Sequence, residues 1–380
     1  MKEIKICFVG LYGSPEFLGG GSLFHKNLIN YIYSKYKNIK ISWVYFGKES
    51  KKYTKNNVEY IELKSGRLQS LLFLKDNLTL AKFFTQNYFD IINTLTGMWT
   101  YFYKKRGGQK IIQTFHGTVY YFNKNHFGRL NPIGKILIFP LLVISWLVGL
   151  PSKKNTDRII CVSEKVKQQV KKLYGKKENI VIIRTGVDLK DFKIRNKNNI
   201  KEKLSLNKKD IHGLYVGRGG YWTKGLDRAI ELSEEIHKLN KNYKLIIVGA
   251  DYKKVKHLIN KKFVIYLKEV EREKMPFYYN VADIFFCMSR YEGGAPTLVV
   301  SEAMASGCLI VCSKSSEQEI IENGKNGLIL ENFDEKDAKK IMNVLKNKRK
   351  SNRIIKNSIK TIKEISLEKW GEKYFNSLID

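Results

Sequence analysis

With 380 residues, 43% of them hydrophobic, the chain can fill two ordinary hydrophobic cores and is too apolar to be disordered. Its 69 Lys and Arg stand against 36 Asp and Glu, and the net charge of +33 directs it toward anionic partners, a membrane surface or nucleic acid. Five cysteines in or beside apolar runs, with no C-x-x-C spacing, exclude a disulfide scaffold and point to reduced thiols in a cytosolic protein.

Ile4–Gly10 reads as a strand, followed by a loop from Gly13 that ends in Gly19-Gly20-Gly21 and by a helix from Ser22 to Tyr36. The loop is not a G-x-G-x-x-G dinucleotide fingerprint. Further strands are expected at 39–47, 58–63, 90–94 and 110–115, with helical patterns between them. Such alternation predicts a parallel sheet covered on both faces, with ligands beyond the strand carboxyl ends. His116 stands at one such end, directly after Lys110–Phe115. The other histidines (25, 126, 212, 237 and 257) lack metal-type spacing and read as packing or surface residues.

From Asp90 to Asp157 no acidic residue intervenes, while Lys104, Lys105, Arg106, Lys110, Lys124, Arg129, Lys135, Lys153 and Lys154 do. Aromatics are interleaved with them. Ile136–Leu150 is the most apolar run in the chain, yet it is shorter than the roughly 20 residues of a spanning helix. It is either a buried core helix or an interfacial one, the latter favoured by its basic flanks and Trp146. A smaller patch of similar kind runs from Arg67 to Lys75.

After strands at 158–162 and 180–184, a polar Lys- and Asn-rich stretch, 189–208, reads as a linker. In the second half, strand 213–217 leads through Arg218-Gly-Gly-Tyr-Trp-Thr-Lys224-Gly225 to a helix from Leu226. Strands follow at 244–248 and 264–267, then a helix at 271–280. Ile284–Met288 is a buried-strand run, Ser289–Pro296 a Gly-containing loop, and Thr297–Ser306 a helix stopped by Gly307. A strand feeding a glycine loop and a helix N-terminus is built for an anion. Two carboxylates beside it, Glu292 and Glu302, suit an anion rich in hydroxyls, such as a nucleotide sugar. A strand at 308–312 and helices at 334–346 and 366–379 complete the chain.

Glu302-Ala-Met-Ala-Ser-Gly307 and Arg218 to Gly225 resemble the E-A-x-A-x-G and V-G-R-x-x-x-x-K-G motifs of retaining GT-B glycosyltransferases, family four in particular. Thr185-Gly-Val-Asp188 resembles its N-G-V-D segment. The resemblance implies two doubly wound, Rossmann-like α/β domains facing a cleft: an acceptor-side domain over 1–188, with an apolar, basic membrane-facing region at 98–154, and a nucleotide-sugar domain over 189–365. The helix at 366–380 would cross back onto the first.

By the same resemblance, Arg218 and Lys224 would hold the diphosphate, Glu302 the ribose hydroxyls, Gly20 and Gly21 the donor phosphates, and His116 the transferred sugar. Gly293 and Gly294 would bring backbone to the donor. Glu292 is the candidate for the sugar-hydroxyl contact. Nine residues separate it from Glu302 where the family has seven, so the strict register falls on Gly294.

No D-x-D motif occurs, so the expected chemistry needs no metal or other cofactor. The function implied is transfer of a hexosyl unit, with retention, from a UDP- or GDP-sugar. The acceptor would be a lipid-linked saccharide or glycolipid in cell-surface glycan synthesis. The enzyme would be cytoplasmic and peripheral on the inner face of the membrane, with Lys104, Lys105, Arg106, Arg129 and Trp146 on the membrane side. Two other readings are a non-hydrolysing nucleotide-sugar epimerase and a basic nucleic-acid-binding protein. The Arg218/Lys224 and E-A-x-A-x-G pattern argues against the first. The absence of RNP, KH and zinc-knuckle patterns argues against the second.

Overall fold

The computed structural model describes residues 3–380 apart from 13–19, 66–68, 129, 153, 176–178 and 219. Arg129 and Lys153, most of the first glycine loop and the start of the Arg67 patch therefore lie outside the described residues. The chain divides into two compact units, residues 1–184 with 368–380, and residues 185–367.

The first unit is built on an eight-stranded sheet. In chain order it contains β1 (Ile4–Tyr12), α1 (Gly20–Lys35), β2 (Ile39–Gly47), β3 (Lys51–Lys55), β4 (Val58–Lys64), α2 (Gln69–Gln86) and β5 (Ile91–Thr94). Then come β6 (Lys110–Phe115), α3 (Val119–Phe127), α4 (Pro132–Gly149), β7 (Arg158–Cys161), α5 (Glu164–Tyr174) and β8 (Ile180–Ile182). The strand order is β3-β4-β2-β1-β5-β6-β7-β8, parallel except for β3. The central strands are apolar on both faces, as burial on both sides requires. Ile6, Cys7, Phe8 and Val9 of β1 are all buried.

Strand β3 is a departure from the expected elements. Its sequence, Lys-Lys-Tyr-Thr-Lys, has no apolar face to betray a strand. The turn supplies the signal instead: Asn56 and Asn57 both have positive φ, 51° and 63°, as a tight hairpin demands. The lysines blunt an exposed sheet edge.

The second unit carries α6 (Lys197–Lys203), β9 (Ile211–Val216), α7 (Leu226–Leu239), β10 (Tyr243–Val248), α8 (Tyr252–Ile259), β11 (Val264–Leu267) and α9 (Met275–Val281). It continues with β12 (Ile284–Cys287), α10 (Leu298–Ala305), β13 (Leu309–Ser313), β14 (Leu328–Leu330), α11 (Glu335–Lys346) and α12 (Lys348–Lys363). The six strands are parallel in the order β11-β10-β9-β12-β13-β14.

Two expectations need correction here, and one helix had no counterpart among them. The 189–208 stretch contains α6, whose Ile200 is buried and whose Lys201 ammonium donates to the carbonyls of Lys208 and Asp210. The helix expected at 271–280 is a 3₁₀ turn, Arg272–Lys274, followed by α9, whose Pro276 occupies the first turn, where a missing N–H costs nothing. Helix α12 was not foreseen. Its inward positions are Ser351, Ile354, Ser358 and Ile362, so half of its apolar stripe is serine.

The last helix, α13 (Leu367–Ile379), packs within the first unit from Glu368 onward. Trp370, Tyr374, Phe375 and Leu378 are buried. Tyr374 donates to Asn93 Oδ1 at 3.3 Å, and its hydroxyl lies 2.5 Å from that of Thr114. Gly371 makes the approach possible, because a Cβ there would stand 2.3 Å from the Tyr31 ring.

Candidate functional site

In the second unit the strand order reverses between β9 and β12. The next strands in sequence after β9 lie on one side of it, and β12 opens the other. The crevice beyond the carboxyl ends of two such strands is where open α/β sheets bind ligands. The Arg218–Gly225 loop follows β9 and the Ser289–Thr297 loop follows β12, so both border that crevice.

Glycine seats the first loop. Gly225 has φ +71°, and a Cβ there would lie 1.9 Å from the Met288 carbonyl oxygen. That approach places Lys224 beside Glu292. The ammonium donates to Glu292 Oε2 at 2.7 Å and to Oε1 at 3.0 Å, while Ser289 Oγ donates to Oε1 at 2.5 Å. The Glu292 side chain is 8% exposed and the Lys224 side chain 39%. Glu292 is thus a buried, paired carboxylate. Sequence reasoning had given Glu292 and Lys224 separate tasks; the fold makes them one charge pair, with the cation on the open side.

A residue that sequence reasoning missed joins the two loops. Arg290 makes two parallel bonds to Asp227, at 2.8 and 2.7 Å, and donates to the Trp222 carbonyl at 2.6 Å. Its guanidinium lies 4.0 Å from the centre of the Trp222 ring, and its backbone N–H donates to the Thr223 carbonyl at 2.9 Å. Ser313 and Ser315 donate to the Ser289 carbonyl at 2.8 and 2.9 Å and fix the second loop from the β13 side.

Arg218 is exposed and pairs with Glu269 at 2.5 Å. Gly293 and Gly294 lie half-buried in the bend after Glu292. Beyond them α10 begins at Leu298. Its capping residue, Thr297, makes no side-chain cap. The buried hydroxyls of Thr297 and Ser301 have no hydrogen-bond partner among the described residues. A helix N-terminus with two unused buried hydroxyls is equipped to receive an oxygen-rich anion.

Glu302 belongs to a second cluster. It is buried, Arg272 donates to Oε1 at 2.5 Å, and the Tyr279 hydroxyl donates to Oε2 at 2.8 Å. Burial pulls the Arg272 guanidinium down, but the Glu302 charge outweighs it and holds the group above its ordinary range. Burial, reinforced by Glu302, raises the Tyr279 phenol well above its own. A carboxylate offers about four lone-pair positions, so two remain after these bonds. Arg272 also stacks over Phe192, 4.6 Å from the ring centre.

In the first unit, His116 follows β6 directly. Its ring meets Phe24 edge-on at 4.3 Å, and its Nε2 is buried without a partner among the described residues. Burial lowers its pKa to about 4, so it is neutral at physiological pH with one nitrogen uncommitted. Gly20 and Gly21, expected in a loop, instead form the first two residues of α1.

The membrane-side assignments are partly overturned. Trp146 faces inward: its Nε1 donates to the Leu173 carbonyl at 3.1 Å and its ring stacks on Tyr174. It shares the inward face of α4 with Leu142, Ser145 and Gly149. Lys105 is committed to Asp157 at 2.5 Å, and Arg106 to the Thr85 carbonyl. Lys104 is exposed.

Two family models match, "Glycosyltransferase Family 4" over residues 42–191 and "Glycosyl transferases group 1" over residues 196–361. Spore coat protein SA of Bacillus subtilis (strain 168) is 27% identical over 227 residues, covering 54% of this chain. That match spans 59% of the relative's length, less than two thirds. Sucrose-phosphate synthase from Thermosynechococcus elongatus has a similar structure, with a TM-score of 0.78, 17% identity and 98% coverage of both chains. Anabaena HepE in complex with UDP and glucose superposes with a TM-score of 0.70, 15% identity and 99% coverage of both. With two parallel-sheet units, a family model on each and structural neighbours of this architecture along its whole length, the chain belongs to the GT-B glycosyltransferases of the family-four type.

Proposed function

We propose that the protein transfers a hexosyl unit from a nucleotide sugar, UDP- or GDP-linked, to a hydroxyl of a membrane-bound saccharide acceptor, with retention at the anomeric carbon. The observation that carries this reading is the Lys224–Glu292 pair at the β9/β12 switch point. It sets a cation for a diphosphate beside a buried carboxylate for sugar hydroxyls. HepE, a structural neighbour, holds UDP and glucose, which supports a UDP-linked donor.

In this reading Lys224 and Arg218 take the charge that grows on the leaving diphosphate, and both exchange a carboxylate partner for phosphate oxygen. The α10 N-terminus with Thr297 and Ser301 adds neutral donors. Glu302 takes the ribose hydroxyls on its remaining lone pairs. Neutral His116, whose Nε2 has no partner among the described residues, bonds the transferred sugar. The bond from anomeric carbon to phosphate oxygen breaks as the acceptor oxygen bonds the same face, and the acceptor proton passes to the leaving phosphate. In this reading, side-chain cations do the work that a divalent metal does in other nucleotide-sugar enzymes. The acceptor is a lipid-linked saccharide or glycolipid, and the enzyme works on the inner face of the cytoplasmic membrane.

The test is turnover of UDP- and GDP-hexoses in EDTA with a polyprenyl-linked acceptor, with the anomeric configuration read by NMR. Retained configuration and metal-free turnover are expected. Inversion, or activity only with added metal, would contradict the reading. Interconversion of the nucleotide sugar without acceptor would favour the epimerase.

A further inference from the structure

Helix α4 is two helices in one. Its second half is rooted in the first unit: Leu142, Ser145 and Val148 are buried, and the Gly149 carbonyl accepts from Gln113 Nε2 at 3.0 Å. Its first half stands clear. Ile133, Ile136 and Leu137 are 70%, 74% and 72% exposed, and Phe139 and Val143 follow at 58% and 44%. The helix runs for 18 residues, capped by Asn131, and is apolar enough by length and composition to cross a membrane. The rooted half prevents that, because those residues pack against protein.

Helix α3 packs beside it as the other arm of a hairpin, with Asn123 Nδ2 donating to Ser145 Oγ at 2.5 Å. It exposes Val119 and Phe122. Lys124 holds its ammonium 5.9 Å from the ring centres of both Tyr120 and Tyr121. The exposed apolar first half of α4 calls for a cover.

We propose that the α3–α4 hairpin enters one leaflet of an anionic membrane. Charge decides the occupant. No Asp or Glu lies between Asp90 and Asp157, so the segment that forms the hairpin brings only cations and no acid of its own, complementary to anionic headgroups over acyl chains. A second copy of the chain would bring the same basic, acid-free segment against this one. From Pro132 to Val143 the helix rises roughly 16 Å, deep enough to pass the headgroups and too short to cross.

The hairpin is the connection from β6 to β7 and begins three residues after His116. The base of the hairpin therefore lies beside the candidate sugar-binding histidine, and a lipid-linked acceptor whose lipid stays in the bilayer can extend its saccharide from the inserted tip toward it. This consequence rests on the function proposed above; the docking itself does not.

The experiment is co-sedimentation of the full chain with phosphatidylcholine vesicles, with and without phosphatidylglycerol. It compares wild type with Ile136→Asp/Leu137→Asp and with Lys124→Glu/Lys135→Glu. The wild type should bind anionic vesicles. The Asp pair should weaken binding roughly a hundredfold, since two aliphatic side chains leave the acyl region. The Glu pair should abolish the preference for phosphatidylglycerol. Melting temperature and nucleotide affinity should be unchanged in both. Equal vesicle binding by the Asp pair would overturn the proposal. So would concentration-dependent dimers of the wild type that the Asp pair abolishes, or displacement of vesicles by RNA without loss in the Asp pair. Vesicle binding without any nucleotide-induced melting shift would leave the hairpin standing and remove the donor reading instead.

Discussion

Lys224 and Glu292 sit 68 positions apart and meet at 2.7 Å, with the carboxylate buried and the ammonium half-open. Removing the cation alone leaves a buried carboxylate short of a partner. Lys224→Met is therefore expected to cost about 1–3 kcal/mol of stability and to weaken nucleotide binding. Glu292→Gln keeps the cation and should preserve nucleotide affinity while lowering kcat. Melting curves and nucleotide titration of the two variants and of the double variant check this. If Lys224→Met binds nucleotide like wild type, the residue has no part in the donor site. A motif marked Lys224 in the sequence; Glu292 stood two residues off the register of its motif and was a candidate only as the carboxylate in the glycine loop. Arg290 was not: among 69 basic residues nothing local distinguishes it, and its partners Asp227 and Trp222 lie 63 and 68 positions away.

The two loops at the switch point act as one element because Arg290 bolts them together. Lysine cannot make two parallel bonds to Asp227 or stack its charge flat on Trp222. Arg290→Lys should keep the fold, since the cores below are untouched. It should lower kcat about tenfold or more with little change in KM, as expected for a loop displaced from its working position. A pure stability loss with kcat intact would assign Arg290 a structural role only. At this scale the sequence was informative where periodicity was clean. The strands Ile39–Gly47, Lys110–Phe115 and Val264–Leu267 have the expected bounds. It was silent where polar residues fill inward or edge positions: the serines of α12, the lysines of β3, and the Lys/Asn stretch that hides α6.

Each unit also carries a buried histidine. His25 is lowered to about 3 by burial, with the neighbouring His116 adding to it; His212 is lowered to about 4 by burial and then by Lys201. Neither ring finds a partner for its Nε2 among the described residues. The unfolded chain takes up these protons near pH 6.5 and the folded chain does not. Their neutral burial therefore costs nothing above that pH, and stability falls as pH drops through 6.5 toward 4. Between pH 7 and 5 each histidine should remove about 2 kcal/mol. Melting should shift down accordingly, and His212→Gln should flatten the slope. A melt independent of pH in this window would contradict the assignment.

At the scale of the molecule, the two parallel-sheet units and their family were legible because glycine-loop motifs follow strand ends in a fixed order. The exposed tip of α4 was only half legible, since composition shows an apolar run without showing which half is rooted. The proposed transfer depends on nucleotide binding by the second unit through Lys224 and Arg218. The direct measurement is a thermal melt in EDTA with UDP, GDP, ADP and their hexose conjugates, for wild type and for Arg218→Ala/Lys224→Ala. Ligand at about a hundred times its Kd should add roughly 2.7 kcal/mol of stability to the wild type. That shift is expected for UDP or GDP compounds, and its loss in the double variant. No shift with any nucleotide, or an equal shift in the double variant, would contradict it.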